Sequence, residues 1–365
     1  MQQLDAYLRQ SVACGDVPGA VVCVAHRGEV VWHEAYGAAA WVPERRAMRR
    51  DTLFDVASLT KVMATTPLVL AAHRDGVLGL DDPLRRFYPA VPDDVGAVTL
   101  RQLLSHSGGF ADWLPLYAKL GANGTARQRR QQAAALILHE PLAYPPGQAV
   151  VYSDLGFIVL GDILETCHEQ PLDVLFEQRV ARPLGLRRVA YRPLDALEAA
   201  DGAPVDFAAT ERCDWRERVL SGEVHDANAW AMGGVAAHAG LFATAAGVWA
   251  FGHAMLEAAA GRRDWLPPAL LRQSWQRQTH PPDTTRALGW DTPTPGRSSA
   301  GSFFSANAVG HLGFTGCSLW IDLEKQVSIV LCTNRVHPSR QASGIVRLRP
   351  RVHDLAMQAL GVTIA

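Results

Sequence analysis

The chain of 365 residues is long enough for one large domain or two interleaved domains, and its 48% of hydrophobic residues is ordinary for a globular protein. Its formal net charge of −1 excludes the basic field that nucleic acids and anionic membrane surfaces require, so we expect neither as a partner. We also expect no membrane span, because no apolar run reaches the necessary length.

The N-terminal residues and the cysteines bear on the compartment. The start, MQQLDAYLRQ, lacks the basic and apolar regions of a signal peptide, so we expect a cytoplasmic protein, or a periplasmic one if a leader was removed before this numbering. Scattered cysteines without a C-x-x-C pair predict reduced thiols, and neither a disulfide framework nor a zinc site. The six cysteines are Cys14, Cys23, Cys167, Cys213, Cys317 and Cys332.

The first part of the chain predicts a helix, a hairpin and a second helix. Residues 3–13 show a short amphipathic helical pattern. The stretch GAVVCVAHRGEVVWHEAYG contains two β-rich runs around Arg27-Gly28, which is typical of a hairpin. Residues 58–72 are apolar at helical spacing, and we expect Pro67 to kink this helix or to open its hydrogen bonding.

The rest of the chain is mainly helical and then returns to strands. Residues 100–257 follow a helical pattern that is interrupted by loops rich in proline and glycine. SLWID (318–322) and VSIVLCTN (327–334) predict two buried strands around a short turn. Residues 351–360 predict a closing helix.

Strands at both chain ends with helices between them predict an α/β fold of the α+β kind. The simplest arrangement is one antiparallel sheet built from both ends and flanked by helices, with an inserted, mostly helical domain. We assign residues 1–75 and 240–365 to the sheet domain and residues 76–239 to the inserted domain. A cleft between the two parts is the expected place for a site.

The segment FDVASLTKVMATT contains one of only three lysines among 35 basic residues. Its S-x-x-K spacing puts Ser58 and Lys61 one helical turn apart on the same face. A serine needs a neighbour that takes its proton, which a lysine can do if burial lowers its pKa and an arginine cannot do. The same spacing also arises by chance, so the motif needs partners elsewhere in the chain.

Two later segments carry candidate partners. Tyr152 precedes an apolar helix, and a tyrosine beside a lysine can shuttle a proton; the alternative is a packed ring with its hydroxyl at the surface. In GHLGFTGCSLWID, His311 and Gly313 open a strand where glycine lets a substrate approach closely; the alternative is a glycine-rich turn. The backbone N–H groups of Ser58 and Phe314 are candidate donors of an oxyanion hole.

Further polar and aromatic residues follow no motif. EVHDANAWAMGGVAAHAGLF lacks metal-ligand spacing, so we predict no metal site there and expect an ordered loop beside the cleft. His106 in LSHSGG is predicted to be a structural loop histidine. Trp113, Tyr117 and Trp230 either line an apolar acyl pocket or pack in the ordinary way. The unassigned polar residues are His225, Asp226, Asn228 and His238.

Together, these three motifs in this order resemble those of the serine β-lactamase and penicillin-binding protein superfamily, in which S-x-x-K is a catalytic motif. The resemblance is greatest to the class C β-lactamase-like branch, with family VIII carboxylesterases and the penicillin-binding protein 4B type. It extends over nearly the whole chain through LLSHSGGF, YPPGQAVVYSDLGFIVLG, GGVAAHAGLFATA and GHLGFTG.

The resemblance implies a mechanism. Ser58 would attack a carbonyl and form an acyl-enzyme, while Lys61 and Tyr152 carry its proton to the leaving group. Tyr152 would then activate the deacylating water, and the N–H groups of Ser58 and Phe314 would hold the oxyanion. The resemblance also implies that no metal and no organic cofactor is needed.

Two departures from the family pattern bear on the substrate. Asp154 stands where the second motif usually has asparagine, and we expect it to form an ion pair with Lys61 and to titrate with it as a coupled unit. H-L-G stands in place of K-T-G: His311 is only partly charged near neutrality, and Leu312 has no hydroxyl. A substrate carboxylate should therefore be held less firmly.

We accordingly expect a serine hydrolase, and first of all a carboxylesterase acting on small uncharged acyl esters. The alternative is a D-Ala-D-Ala carboxypeptidase or β-lactamase, against which the missing signal peptide counts. A third possibility is a non-catalytic binding protein of the same fold, against which the intact Ser58, Lys61 and Tyr152 count. The expected partner is a small ester, amide or β-lactam; the acyl and alcohol groups and the oligomeric state stay open.

Overall fold

The protein is described by a computed structural model that covers residues 1–121, 123–198 and 206–363. Its strands form one large sheet and two small ones. The strands are β1 (Gly19–His26), β2 (Glu29–Ala40), β3 (Arg46–Ala47), β4 (Phe54–Asp55), β5 (Val189–Tyr191), β6 (Arg212–Cys213), β7 (Arg218–Val219), β8 (Leu241–Ala243), β9 (Val309–Leu312), β10 (Ser318–Asp322) and β11 (Val327–Thr333).

The large sheet is antiparallel and joins the two ends of the chain. Its order is β3-β2-β1-β11-β10-β9, so N-terminal β1 pairs directly with C-terminal β11, and Val22 lies opposite Leu331. This confirms the predicted sheet built from both ends. The predicted hairpin turn is also confirmed, since Arg27 and Gly28 both adopt positive φ between β1 and β2.

Helices cover both faces of the large sheet and fill the middle of the chain. They are α1 (Gln2–Ala13), α2 (Thr66–Arg74), α3 (Asp93–Gly96), α4 (Leu100–Leu104), α5 (Leu116–Lys119), α6 (Ala126–Leu138), α7 (Asp154–His168), α8 (Leu172–Phe176), α9 (Arg182–Leu184), α10 (Leu194–Glu198), α11 (Ala227–Ala231), α12 (Ala245–Ala259), α13 (Pro268–Ser274) and α14 (Ile345–Ala359). Within the described ranges, no helix is long and apolar enough to cross a bilayer.

The alternation of side chains along β1 divides the core into two parts. Val22 and Val24 belong to a cluster with Leu8 of α1 and with the buried face of α14. Val21 and Cys23 point the other way, into a larger cluster that includes α12. Burial on both faces explains why β1 reads as an almost continuous apolar run.

Prolines account for two departures from regular helix. The helix predicted at 58–72 opens into a π-helical turn, Lys61–Thr65, directly before α2, where Pro67 lacks the N–H that a regular helix would use. A second π-helical turn, Glu177–Ala181, precedes Pro183 in the same way. The predicted opening of the hydrogen bonding at Pro67 is thus confirmed.

The sequence prediction placed the start of the closing helix too late in the chain. α14 begins at Ile345, ahead of residue 351, and accommodates Pro350 inside its length. Ile345, Leu348 and Val352 are buried against the sheet, so tertiary packing outweighs the hydrogen bond that the proline cannot make.

A small sheet in the order β4-β8-β5 links distant parts of the chain. β4 pairs with β8 through Phe54 and Ala243, and β8 pairs in turn with β5. These strands are too short to leave a sequence pattern: β4 was not predicted, and β5 and β8 lie in the region predicted as helical. They position the turn that follows β4, on which Ser58 lies.

Candidate active site

Ser58 lies in a turn between β4 and the π-helical turn that begins at Lys61. The buried carboxylate of Asp55 anchors this turn, since Oδ1 accepts from the Ala57 N–H at 2.8 Å and Oδ2 from the His225 N–H at 2.7 Å. Ala57 adopts a φ of 48°, a strained conformation for a residue with a side chain. The anchored turn presents Ser58 to a cavity.

The ammonium of Lys61, whose side chain is fully buried, donates hydrogen bonds to three acceptors. Its Nζ lies 3.1 Å from Ser58 Oγ, 2.7 Å from Asp154 Oδ1 and 3.0 Å from the carbonyl oxygen of His238. A lysine ammonium has three N–H donors, and here each has an acceptor. The predicted ion pair between Asp154 and Lys61 is therefore present.

The charge of Lys61 depends on its partner Asp154. Burial alone would lower the pKa of Lys61, but the adjacent carboxylate of Asp154 and the Tyr152 phenol outweigh burial and raise that pKa above its ordinary value. The lowered pKa that would let Lys61 act directly as a base is therefore absent, because the ion pair with Asp154 stabilises the ammonium. In the resting protein Lys61 is an ammonium, and it has to lose a proton before it can act as a base.

His106 holds the loop that carries Tyr152. Its Nδ1 accepts from the Ser153 N–H at 3.1 Å, and its carbonyl oxygen accepts from the Val151 N–H and the Tyr144 hydroxyl, each at 3.1 Å. The ring of His106 lies 4.5 Å from the ring of Tyr152 between centroids. The prediction of a structural loop histidine is confirmed, and the loop that it supports is the one beside Ser58.

Two cations face the ring of Tyr152. Lys61 Nζ lies 5.0 Å and Arg286 Cζ 5.3 Å from the ring centroid. Burial raises the pKa of the Tyr152 phenol, Lys61 opposes that shift and Asp154 adds to it, so the pKa stays above its ordinary value. The buried hydroxyl makes no hydrogen bond of ordinary geometry to the described residues, which leaves it available to a reacting group.

Gly313 and Phe314 directly follow the end of β9 beside the Ser58 turn. The prediction that His311 and Gly313 open a strand was wrong, because His311 lies within β9 and the next strand begins at Ser318. A Cβ at Gly313 would lie 2.4 Å from the carbonyl oxygen of Val56, so the approach of two backbones requires glycine there. The N–H of Gly313 donates to the Cys317 carbonyl at 2.7 Å, whereas the N–H groups of Ser58 and Phe314 have no partner among the described residues. Two free donors at this position are what an oxyanion hole requires.

His311 is buried beside Tyr152, with 5.8 Å between ring centroids. Its Nδ1–H donates to the Leu312 carbonyl at 2.9 Å. Burial, together with the charges of Lys61 and Arg286, lowers the pKa of His311 well below its ordinary value. The expected partial charge near neutrality was therefore wrong, because a dry site that already faces two cations disfavours a third.

Asp226 and His238, unassigned in the sequence, line a cavity of about 260 Å³ beside Ser58. Their side chains are hydrogen-bonded to each other at 2.9 Å. Burial alone would raise the pKa of the Asp226 carboxyl, but the neighbouring His238 holds that pKa below its usual value. Within the described ranges, Asp154, Asp226 and His238 bring potential metal-ligand atoms within 4.8 Å of one another. Asp154 is hydrogen-bonded to Lys61, and Asp226 is hydrogen-bonded to His238. We therefore assign hydrogen-bonding roles to these three potential ligands.

Two further unassigned residues support loops around this cavity. His225 Nε2 is hydrogen-bonded to Glu211 at 3.1 Å, and its ring stacks on that of Phe314 at 5.7 Å. The Asn228 amide accepts from the Tyr117 N–H and donates to the Leu114 carbonyl, each at 2.9 Å. The expected loop beside the cleft is present only in part, because residues 227–231 form α11 and β8 begins at Leu241.

A second cavity, of about 510 Å³, opens on another side of Ser58 and was not foreseen. Ser58 lies where the two cavities meet, because both are lined by Ser58, Tyr152, Phe314 and Arg340. The charged residues of the larger cavity are Arg286, Asp291, Arg335, Arg340 and Arg349. No motif signals them, because arginine is the common base of this chain and these residues meet only in the folded protein.

Comparison with known proteins finds similarity over nearly the whole chain. A family model described as beta-lactamase matches residues 4–349. The chain is 31% identical to an N-acetylmuramyl-L-alanine amidase of Bacillus subtilis (strain 168), covering 92% of this chain and 81% of that protein. It is 32% identical to an Escherichia coli (strain K12) protein provisionally named D-alanyl-D-alanine carboxypeptidase, covering 92% and 82%.

A solved structure shows the same fold. It is that of EstCE1, described as a hydrolase with promiscuous acyltransferase activity, and it superimposes with a TM-score of 0.73 at 22% sequence identity. The superposition covers 96% of this chain and 98% of that one. At this identity the likeness concerns the fold.

Asp154→Asn should move the pH profile to lower pH. Asp154 raises the pKa of both Lys61 and Tyr152, so removing its charge lets this pair lose a proton at lower pH, by about 1–3 units. We expect the rising limb of kcat/KM against pH to shift accordingly. The control is Asp93→Asn, which removes the same charge from an exposed position. An unchanged profile in Asp154→Asn would contradict the coupling.

Gly313→Ala should lower kcat. The new Cβ would clash with the Val56 carbonyl and displace the Phe314 N–H, and loss of one oxyanion donor costs about 10²-fold or more in kcat. The control is Gly121→Ala, where an added Cβ meets no atom closer than 3.9 Å. Steady-state kinetics on one ester substrate test this, and equal kcat values for the two variants would refute it.

Proposed function

Because this chain belongs to the beta-lactamase family and is a serine hydrolase, we propose that it cleaves amide bonds in carboxylate-bearing fragments of peptidoglycan through an acyl-enzyme on Ser58. The observation that carries the proposal is the arginine-lined cavity beside Ser58. It supplies the anion-binding groups that the H-L-G segment lacks.

Two of the arginines have no carboxylate partner among the described residues. Arg335 Nε donates to the Phe314 carbonyl at 2.7 Å, and Arg349 donates to the carbonyls of Gly313 at 2.7 Å and Cys317 at 3.1 Å. Although burial lowers the pKa of Arg349 to about 10, it stays charged at neutral pH. These contacts hold the guanidiniums in place but leave their charges unneutralised, which favours an anionic ligand.

The other two arginines are paired. Arg286 binds Asp291, and Arg340 binds Glu211 through two hydrogen bonds. The cavity therefore has a net positive charge, and a substrate carboxylate would enter it favourably. This supports an anionic substrate over the uncharged ester that His311 and Leu312 alone suggested.

The names of the relatives support the same bond type. One is named for the bond between N-acetylmuramic acid and L-alanine, and the other for D-alanyl-D-alanine. Both names designate amides in molecules that also carry free carboxylates. We take the N-acetylmuramyl-L-alanine amide as the first candidate substrate.

The proposed reaction uses Ser58, Lys61 and Tyr152 as follows. The active form is the one in which the Lys61–Tyr152 pair has lost one proton. Ser58 Oγ forms a bond to the amide carbonyl carbon and passes its proton to this pair, and the oxyanion accepts from the N–H groups of Ser58 and Phe314. The C–N bond breaks as the amine takes that proton; a water then hydrolyses the ester by the reverse sequence of proton transfers.

A small uncharged ester is the second candidate substrate. Leu312, Phe314 and Ile345 give the larger cavity an apolar portion, which an acyl or alcohol group of such an ester would occupy.

We further propose a cytoplasmic location, since all six cysteines are free thiols, as is usual in a reducing compartment.

Hydrolysis of four substrates by the wild type tests the function. We expect a higher kcat/KM for N-acetylmuramyl-L-alanyl-D-isoglutamine than for an acylated D-alanyl-D-alanine peptide, p-nitrophenyl butyrate or nitrocefin. Ser58→Ala should lower each rate by about 10⁴-fold or more. A preference for the butyrate ester would favour the second candidate substrate, and a preference for nitrocefin would favour a β-lactamase. Activity unaffected by Ser58→Ala would exclude an acyl-enzyme on Ser58.

Arg335→Gln tests the anionic cavity separately. We expect KM for the muramyl peptide to rise about ten-fold or more, because a hydrogen bond to a charged group is lost, while KM for p-nitrophenyl butyrate changes little. Arg45→Gln, at an exposed position, is the matched control. An equal rise for both substrates would indicate a structural effect and contradict the anionic site.

A further inference from the structure

A row of four aromatic side chains leads away from the catalytic serine. The ring centroids of Trp113 and Tyr117 are 6.3 Å apart, those of Tyr117 and Trp215 are 5.0 Å apart, and those of Trp215 and Trp230 are 5.1 Å apart. These residues come from three separate segments of the chain. We call them the aromatic row.

The aromatic row is held in place by polar contacts behind it. The Asn228 side chain fixes the segment of Tyr117 by two hydrogen bonds. The guanidinium of Arg216 lies 5.6 Å from the ring of Trp215 and 5.4 Å from that of Trp230, and Trp230 Nε1 donates to Glu223 at 3.1 Å. The rings therefore need little reorganisation to bind a ligand.

Two of the four side chains in the aromatic row are exposed, and Trp113 joins the row to the cavity beside Ser58. Trp113 is 44% exposed and Trp215 49% exposed, although large aromatic side chains are usually well buried. Trp113 lines the smaller cavity together with Ser58 and Tyr152. An exposed apolar surface that continues a catalytic cavity is characteristic of a ligand-binding groove.

We propose that the aromatic row binds the pyranose ring of the substrate's acyl group, an inference that rests on the proposed function. A pyranose has an apolar C–H face, which can stack on an indole or phenol ring, and a rim of hydroxyls that stays in water. Both exposed tryptophans directly follow an exposed aspartate, Asp112 or Asp214, whose carboxylate can accept from such hydroxyls. A half-exposed row suits this amphipathic ring better than an alkyl chain, which gains most from an enclosed pocket.

The position of Ser58 between the two cavities orients the substrate. The muramyl unit carries the carbonyl that Ser58 attacks, so its sugar remains in the acyl-enzyme and occupies the side of Trp113. The peptide is the leaving group, and its carboxylates occupy the side of Arg335 and Arg349. Each end of a muramyl peptide thus meets the surface that matches its chemistry.

Two substrates that differ only by the sugar test this inference. They are N-acetylmuramyl-L-alanyl-D-isoglutamine and lactyl-L-alanyl-D-isoglutamine, which retains the attacked carbonyl and the peptide. We expect Trp113→Ala and Trp215→Ala each to raise KM for the first substrate about 3–10-fold more than KM for the second. Trp41→Ala, which removes a 37% exposed tryptophan that lines neither cavity, should change neither KM.

A binding measurement separates this inference from the proposed function. In Ser58→Ala, titration with N-acetylmuramic acid should change the tryptophan fluorescence, and adding Trp113→Ala should weaken the apparent affinity about 3–10-fold. Unchanged affinity, or equal KM changes for both peptides, would overturn the inference while leaving amide hydrolysis intact. If neither peptide is hydrolysed by the wild type but the sugar still binds at Trp113, the proposed function fails and the sugar site stands.

Discussion

The ammonium of Lys61 has no contact with water, and a buried charge of this kind is stable only when polar partners surround it. Its partners are the Ser58 hydroxyl, the Asp154 carboxylate and the His238 carbonyl. They belong to the turn after β4, the first turn of α7 and the segment before β8. Satisfying this one charge therefore positions Ser58 against segments from the middle of the chain.

The same ion pair sets the protonation of the site. Asp154 keeps Lys61 charged, and with burial it keeps Tyr152 a neutral phenol. Burial, together with the two cations near His311, keeps that ring neutral. The resting site therefore holds its protons more tightly than a lysine in a dry pocket alone would, and catalysis depends on the fraction of molecules that has lost one proton.

The surroundings of Ser58 differ in charge and in polarity from one side to the other. Arg335 and Arg349 form a positive side, and Trp113 with Asp226 forms an aromatic and acidic side. A substrate with one anionic end and one amphipathic end would bind in a single orientation, because reversing it would bring like charges together. In the proposed function, residues around the reacting groups select the substrate, and the three motifs supply the reacting groups.

The sequence by itself determined the fold class, the order of the main elements and the three motifs, because hydrophobic periodicity and motif spacing are local properties. It also indicated the Asp154–Lys61 pair, since the family pattern places those positions together. Only the tertiary structure decided the pKa of Lys61 and of His311, which depends on distances between groups far apart in the chain. The same holds for the arginine cavity and the aromatic row, whose members are scattered along the sequence and become neighbours only when the sheet closes from both ends.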